Sequence, residues 1–221
     1  TTNAFNQMRT RIKRFLKQRT EMLAGVSHDL RTPLTRMKLQ LSLMKDDNAK
    51  IELENDINEM TAMLNSYVNF VRGEANETIE NINFIKLIKN LCSPNMFPDH
   101  DITINHKKEV ETSGRPLQIK RAIQNILNNS KRYASKINIE VDANDDTFFI
   151  SIEDNGSGIP LENYEDVFKP FFTLDPSRNK LKGESGLGMT ISRDIIRSHG
   201  GDIKLSVSKM GGLKTTIDLP L

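Results

Sequence analysis

Two groups of residues in this 221-residue chain could do chemistry. The first is a histidine inside VSHDLRTP, residues 26–33. An imidazole, with an ordinary pKa of about 6.5, is partly neutral near pH 7 and can act as a nucleophile. Asp29, next to His28, can accept or hold a proton from the ring. Thr32 lies one helical turn along the same face and offers a hydroxyl. Pro33 removes a backbone donor and clashes with the carbonyl four residues back, that of Asp29, which loosens the helix beside the histidine. No other nucleophile–base pair in the chain is this well placed.

The second group is three separated segments whose physics converges. DNGSGIP supplies Asp154, Gly156 and Gly158 after an expected strand, and GESGLGM supplies Gly183, Gly186 and Gly188 before an expected helix. NILNNS places Asn125 and Asn129 four apart on one helix face. A glycine-rich loop that runs into a helix N-terminus presents amide hydrogens to phosphates. Carboxamide oxygens on a facing helix can ligate a hard cation such as magnesium. Asp154 could accept a hydrogen bond from an exocyclic amine and so read adenine. No G-x-x-x-x-G-K-[ST] run occurs, so this is not a P-loop, and the glycine groups lie too far apart for a dinucleotide fingerprint.

The elements that must position these groups fall into two halves. Residues 3–72 are written in helix periodicity. Phe5, Met8, Ile12, Phe15, Met22 and Val26 form a heptad seam, with Arg19 in one slot. Leu30, Leu34, Met37, Leu41 and Met44 continue it after a shift of register, and such a stutter changes the supercoil locally. A bend is expected at residues 29–33. His28 falls two positions past the seam residue Val26 and so faces outward. Residues 45–50 read as a turn, and Ile51 to Val71 as a shorter helix ended by Gly73. Two such helices have too little core alone. A second copy supplies partners, which predicts a dimeric four-helix bundle built from antiparallel hairpins.

After a linker at 74–77 the grammar changes. Strands are expected at 78–82, 101–105, 137–141 and 148–153, helices at 84–91, 116–133 and 187–199, and a closing hairpin of 203–207 with 214–219 around KMGG. The second half is therefore an α+β layer fold with a mostly antiparallel sheet. The net charge of +2 gives no case for nucleic-acid binding, and the single Cys92 excludes an intrachain disulfide framework or a cysteine metal cluster. No run approaches the roughly 18 apolar residues of a membrane span, and no signal peptide is visible. The chain opens on Thr1 rather than Met, which suits a piece of a longer protein.

Taken in order and spacing, these segments resemble the catalytic core of the two-component sensor histidine kinases, over about residues 21–221. The opening is most similar to the osmosensor-type subgroup that regulates porins. SHDLRTPLTRMK resembles the H box, NILNNSKRY the N box, DNGSGIP the first glycine box, FKPFF the F box and GESGLGM the second glycine box. The resemblance implies an exit helix of a membrane-proximal linker at 1–20, a dimerisation and phosphotransfer domain at 21–73, and an ATP-binding domain at 78–221. That domain would be an α/β sandwich of the type shared with gyrase and the chaperone ATPases.

Implied roles follow residue by residue. His28 is the phosphorylated residue, Asp29 orients it, and Thr32 helps position a water that removes phosphate from a regulator. Asn129 holds the magnesium of ATP, with Asn125 as helper. Arg132 and Tyr133 lie beside the nucleotide, Asp154 reads adenine, and Gly156 and Gly158 shape that pocket. Gly183, Gly186, Leu187 and Gly188 form the hinge and phosphate-facing turn of an ATP lid. Phe168, Phe171 and Phe172 anchor its start, at least one of them as ordinary core. Arg178, Lys180 and Lys182 either screen triphosphate charge or solvate the loop. Ser130 stands where the family usually has alanine, a change read as nearly neutral. The implied activity is that of an ATP-dependent protein-histidine kinase, working as a homodimer with ATP and magnesium. Its partner is the receiver domain of a response regulator, and the parent protein is anchored in a bacterial inner membrane with this part cytoplasmic. A gyrase- or chaperone-type ATPase needs an acid on the N-box helix, and none lies between Lys120 and Tyr133. A dimeric scaffold that binds ATP only to change shape would leave no phosphate on His28.

Overall fold

The computed structural model describes residues 77–174 and 186–221, with residue 30, residues 33–41 and residues 50, 51, 53, 54, 57, 58, 60 and 61. The chain divides into two units, residues 1–76 with 175–185, and residues 77–174 with 186–221. The described residues of the N-terminal part of the first unit are helical, as the periodicity predicts. Leu34 and Leu41, seven apart on one face, form a buried cluster with Ile57 of the second helical stretch. Leu30, Met37, Leu53 and Met60, which also carry the expected apolar pattern, are exposed in the single chain. His28, Asp29 and Thr32 lie outside the described residues, and because residues 29, 31 and 32 do, so does the expected bend at 29–33. No helix among the described residues is long and apolar enough to cross a membrane.

The second unit runs β1 (Glu80–Asn83), α1 (Phe84–Leu91), β2 (Asp101–His106), β3 (Glu111–Gly114), α2 (Pro116–Tyr133), β4 (Lys136–Ala143), β5 (Thr147–Asp154), two 3₁₀ turns (Leu161–Asn163 and Asp166–Phe168), α3 (Gly188–Ser198), β6 (Asp202–Val207) and β7 (Leu213–Pro220). The main sheet has the order β2-β4-β5-β7-β6. Only β2 and β4 are parallel; the other neighbours are antiparallel. The crossover that a parallel pair requires is supplied by the stretch containing α2.

Alternation along the strands sends Ile137, Ile139 and Val141 of β4, and Phe148, Ile150 and Ile152 of β5, into the core. Ile217 and Leu219 of β7 join them. The helices bury amphipathic stripes: Phe84, Ile85, Ile88 and Leu91 in α1; Ile119, Ala122, Ile123, Ile126 and Leu127 in α2; Met189, Ile191, Ile195 and Ile196 in α3. The Phe84 and Phe148 rings meet with centroids 4.4 Å apart, joining the helix layer to the sheet.

β3 was not expected from the sequence. Its residues ETSG carry no apolar alternation, so the strand exists through its pairing with β1 from Glu80↔Gly114 to Asn83↔Glu111. Asn81 and Asn83 each donate a side-chain hydrogen bond of 3.0 Å to the Glu111 carboxylate.

Candidate functional site

Asp154 is the last residue of β5 and is only 5% exposed. Its Oδ1 accepts the backbone N–H groups of Gly156 and Leu213, both at 3.0 Å. Its Oδ2 accepts the hydroxyl of Ser130 at 3.1 Å. Ser130 lies on the buried face of α2, so a helix, a strand end and the β6–β7 turn converge on one carboxylate. The turn is held close because Gly212 N–H donates to the Asp154 carbonyl at 3.2 Å. A Cβ on Gly212 would lie 2.3 Å from Asp154 Oδ1 and 2.5 Å from Gly156 N. Gly156 sits against the carbonyl of Tyr133, and Gly158 against Gly212. The DNGSG turn is therefore wedged between the C-terminus of α2 and the β6–β7 turn.

The other end of the site lies where α2 meets the start of α3. Asn125 Nδ2 donates to Gly188 O at 3.2 Å. Ser192 Oγ lies 3.0 Å from Ala122 O and 2.9 Å from Gly188 O, which locks the two helices together. Leu187 is the N-cap of α3 with no side-chain cap bond, and the first turn of α3 contains no acid. Its N-terminal amides therefore keep the partial positive charge that favours an anion. Leu187 itself is 1% exposed, so its side chain is core and only its backbone can face a ligand. Asn129 is part-exposed one turn beyond Asn125, and the Arg132 guanidinium lies 5.3 Å from the centre of the Tyr133 ring.

The two sides of the glycine-rich loop are tied at its base. Phe171 N–H donates to Gly186 O at 3.1 Å. Gly186 has φ +62, and a Cβ there would lie 2.9 Å from the Phe171 backbone. Phe171 has φ 64, uncommon for a side chain of its size, and its ring is exposed. Phe168 is the buried phenylalanine of FKPFF and Phe172 is half-buried. The Arg193 guanidinium of α3 lies 4.2 Å from the Phe168 ring centre and pairs with Glu165 at 2.7 Å and Asp202 at 3.0 Å. Burial alone would raise the Asp202 carboxyl, but hydrogen bonds from Arg197, Arg193 and the Ile203 amide hold it well below the usual carboxylate range. Glu153, beside Asp154 on β5, is likewise lowered: bonds from Lys214, the Lys209 amide and Ser208 outweigh its burial.

The structure thus brings together Asp154, Gly156, Gly158 and Tyr133 at one end, and Asn125, Gly186, Leu187 and Gly188 at the other. Lys182 and Gly183 lie outside the described residues, as do His28, Asp29 and Thr32. Sequence reasoning passed over Ser130 as a donor and Gly212 and Leu213 as partners of Asp154. The available signal was the paired glycine at 211–212 in the expected hairpin turn. It also passed over Arg193, whose partners Phe168 and Glu165 lie 25 and 28 residues earlier in the chain.

A family model described as histidine kinase-, DNA gyrase B- and HSP90-like ATPase matches residues 114–221, and the His Kinase A phospho-acceptor domain model matches residues 18–76. The chain therefore belongs to the two-component sensor histidine kinases, as a core that joins a phospho-acceptor segment to an ATP-binding kinase catalytic domain. Among relatives, it is 30% identical to the sensor histidine kinase GtrS of Pseudomonas aeruginosa, over 98% of this chain and 45% of that protein. It is also 30% identical to the sensor histidine kinase CpxA of Escherichia coli K12, over 99% of this chain and 50% of that protein. The chain spans about half the length of these curated relatives. In fold it is similar to full-length ShkA in complex with AMPPNP, with a TM-score of 0.68, 18% identity, and coverage of 90% of this chain and 45% of that one.

Proposed function

We propose that this core phosphorylates its own His28 from ATP and passes the phosphoryl group to an aspartate on the receiver domain of a response regulator. The convergence of Ser130, Gly156 and Leu213 on Asp154 carries the reading. It presents a buried, oriented carboxylate suited to the exocyclic amine of adenine, at the end of the site away from the uncapped α3 N-terminus. That N-terminus suits the phosphates. The match of ShkA, solved with AMPPNP, supports the same assignment.

Magnesium fits the donor set. The α2 carboxamides of Asn125 and Asn129, four residues apart on one helix face beside the start of α3, offer the hard oxygen donors that magnesium favours. Asn129 would hold the ion and Asn125 assist, its amide nitrogen already committed to Gly188. The ion would neutralise charge on the transferring phosphate; the protein contributes positioning. A neutral His28 nitrogen attacks the γ-phosphorus in line as the bond to the ADP oxygen breaks. The ring orients against Asp29, which takes up its proton.

Exposure of Leu30, Met37, Leu53 and Met60 in the single chain supports a homodimeric four-helix bundle, in which a second copy covers these side chains. Thr32 is assigned to dephosphorylation of the regulator, so Thr32→Ala should keep much of the autophosphorylation and weaken the phosphatase activity; equal loss of both would count against it. The likeness of residues 1–20 to a linker exit helix supports membrane attachment of the longer protein. The likeness of the H-box segment to osmosensor-type kinases supports placing the phospho-acceptor domain in that subgroup.

The test of the function is incubation with γ-labelled ATP and magnesium. Label should be retained on the protein, lost in acid, stable in base and absent from His28→Ala. Nucleotide binding without label would reduce the protein to an ATP-responsive scaffold.

A further inference from the structure

We propose that Ser130 is a positioning residue for purine recognition: its hydroxyl fixes the plane of the Asp154 carboxylate and leaves a single Oδ2 lone pair for an incoming amine. The inference rests on the reading of Asp154 as the adenine-facing group. A carboxylate offers about four lone-pair sites. Two on Oδ1 are taken by the Gly156 and Leu213 amides, and one on Oδ2 by Ser130. The amides pin one oxygen only; the plane of the group is set once the second is held. Ser130 and Asp154 are each only 5% exposed, so bulk water does not compete freely for this bond, and a hydroxyl donating to a carboxylate is among the stronger hydrogen bonds. The donor also comes from α2, the helix that carries Asn125 and Asn129, so one rigid element sets both ends of the site.

A fixed lone pair discriminates in both directions. It accepts from the 6-amine of adenine and opposes the 6-oxo oxygen of hypoxanthine. When the carboxylate plane is released, the attraction and the repulsion both weaken.

The experiment measures ADP and IDP binding by calorimetry for the full chain, Ser130→Ala, Asp154→Asn and the double variant. Ser130→Cys, slightly larger but a poor donor, is expected to behave like Ser130→Ala. Ser130→Ala should weaken ADP binding about five- to tenfold and narrow the ADP-to-IDP preference at least threefold, as expected for one lost charge-assisted bond. The double variant should show no narrower preference than Asp154→Asn alone, because Ser130 acts through Asp154. A lower melting temperature with the preference unmoved would make Ser130 a packing residue and overturn the proposal, as would fully additive losses. A wild-type chain with no preference for ADP over IDP would instead reject the reading of Asp154 itself.

Discussion

The Asp154 carboxylate shows how a few ångströms decide what a residue does. It is surrounded by donors from three elements, and the turn that brings Leu213 to it exists only if residue 212 lacks a side chain. Gly212→Ala would place a methyl 2.3 Å from Asp154 Oδ1. The turn must then move, at a cost of about 1–3 kcal/mol, as for other overpacked sites. We expect a lower melting temperature and ADP binding weakened at least tenfold; unchanged binding would show that the turn does not support the site. Cys92 behaves as its surroundings dictate. Burial pushes its thiol up to about 11, so it stays protonated near pH 7 and is a poor nucleophile.

At the scale of elements, α2 is the spine of the site and its N-terminus is held from outside. Arg115 at the N-cap makes no side-chain cap bond. Instead the carboxylate of Glu77 accepts the backbone N–H groups of Leu117 and of Gln118, the latter at 3.2 Å. A carboxylate there satisfies two orphan donors and meets the positive end of the helix dipole. The His199 ring closes the same corner, with Nε2 accepting from Arg115 N–H at 3.1 Å and Nδ1 donating to Ile195 O at 2.8 Å. Glu77→Ala should cost about 1 kcal/mol. Hydrogen exchange should quicken at Leu117 and Gln118 while the Ile126–Ser130 turn stays protected. Faster exchange along the whole helix would mean that Glu77 anchors more than a cap.

At the scale of the molecule, charge networks tie distant parts of the second unit together. Arg193 links Phe168 and Glu165 to Asp202 at the start of β6, and Arg197 adds to the same carboxylate at 3.0 Å. The folded Asp202 binds its proton less readily than the unfolded chain does. Its stabilisation is therefore complete above the unfolded carboxylate value of about 3.9 and is lost as pH falls toward the folded value. Glu153 contributes with the same sign. Asp202→Asn should lower stability near pH 7 by about 1–2 kcal/mol, with the gap to wild type closing below about pH 4. Thermal unfolding from pH 7 to pH 2.5 measures this. A gap that widened in acid would reverse the assigned sign.

Sequence alone determined whatever depends on local pattern. The period of apolar residues gave the three helices and most strands of the second unit, and the glycine and asparagine spacings marked both ends of the site. β3 escaped because ETSG has no apolar period, and its strand forms only once β1 lies beside it. Ser130 escaped for a related reason: on a helix it is one small residue among many, and its hydroxyl acquires a task only when β5 brings Asp154 within 3.1 Å. Gly212 and Arg193 needed partners 58 and 25 to 28 residues earlier in the chain, Asp154, Phe168 and Glu165. Propensity and periodicity act over a few residues along the chain. Tertiary structure decided which buried groups had to satisfy one another, because that follows from approach in space.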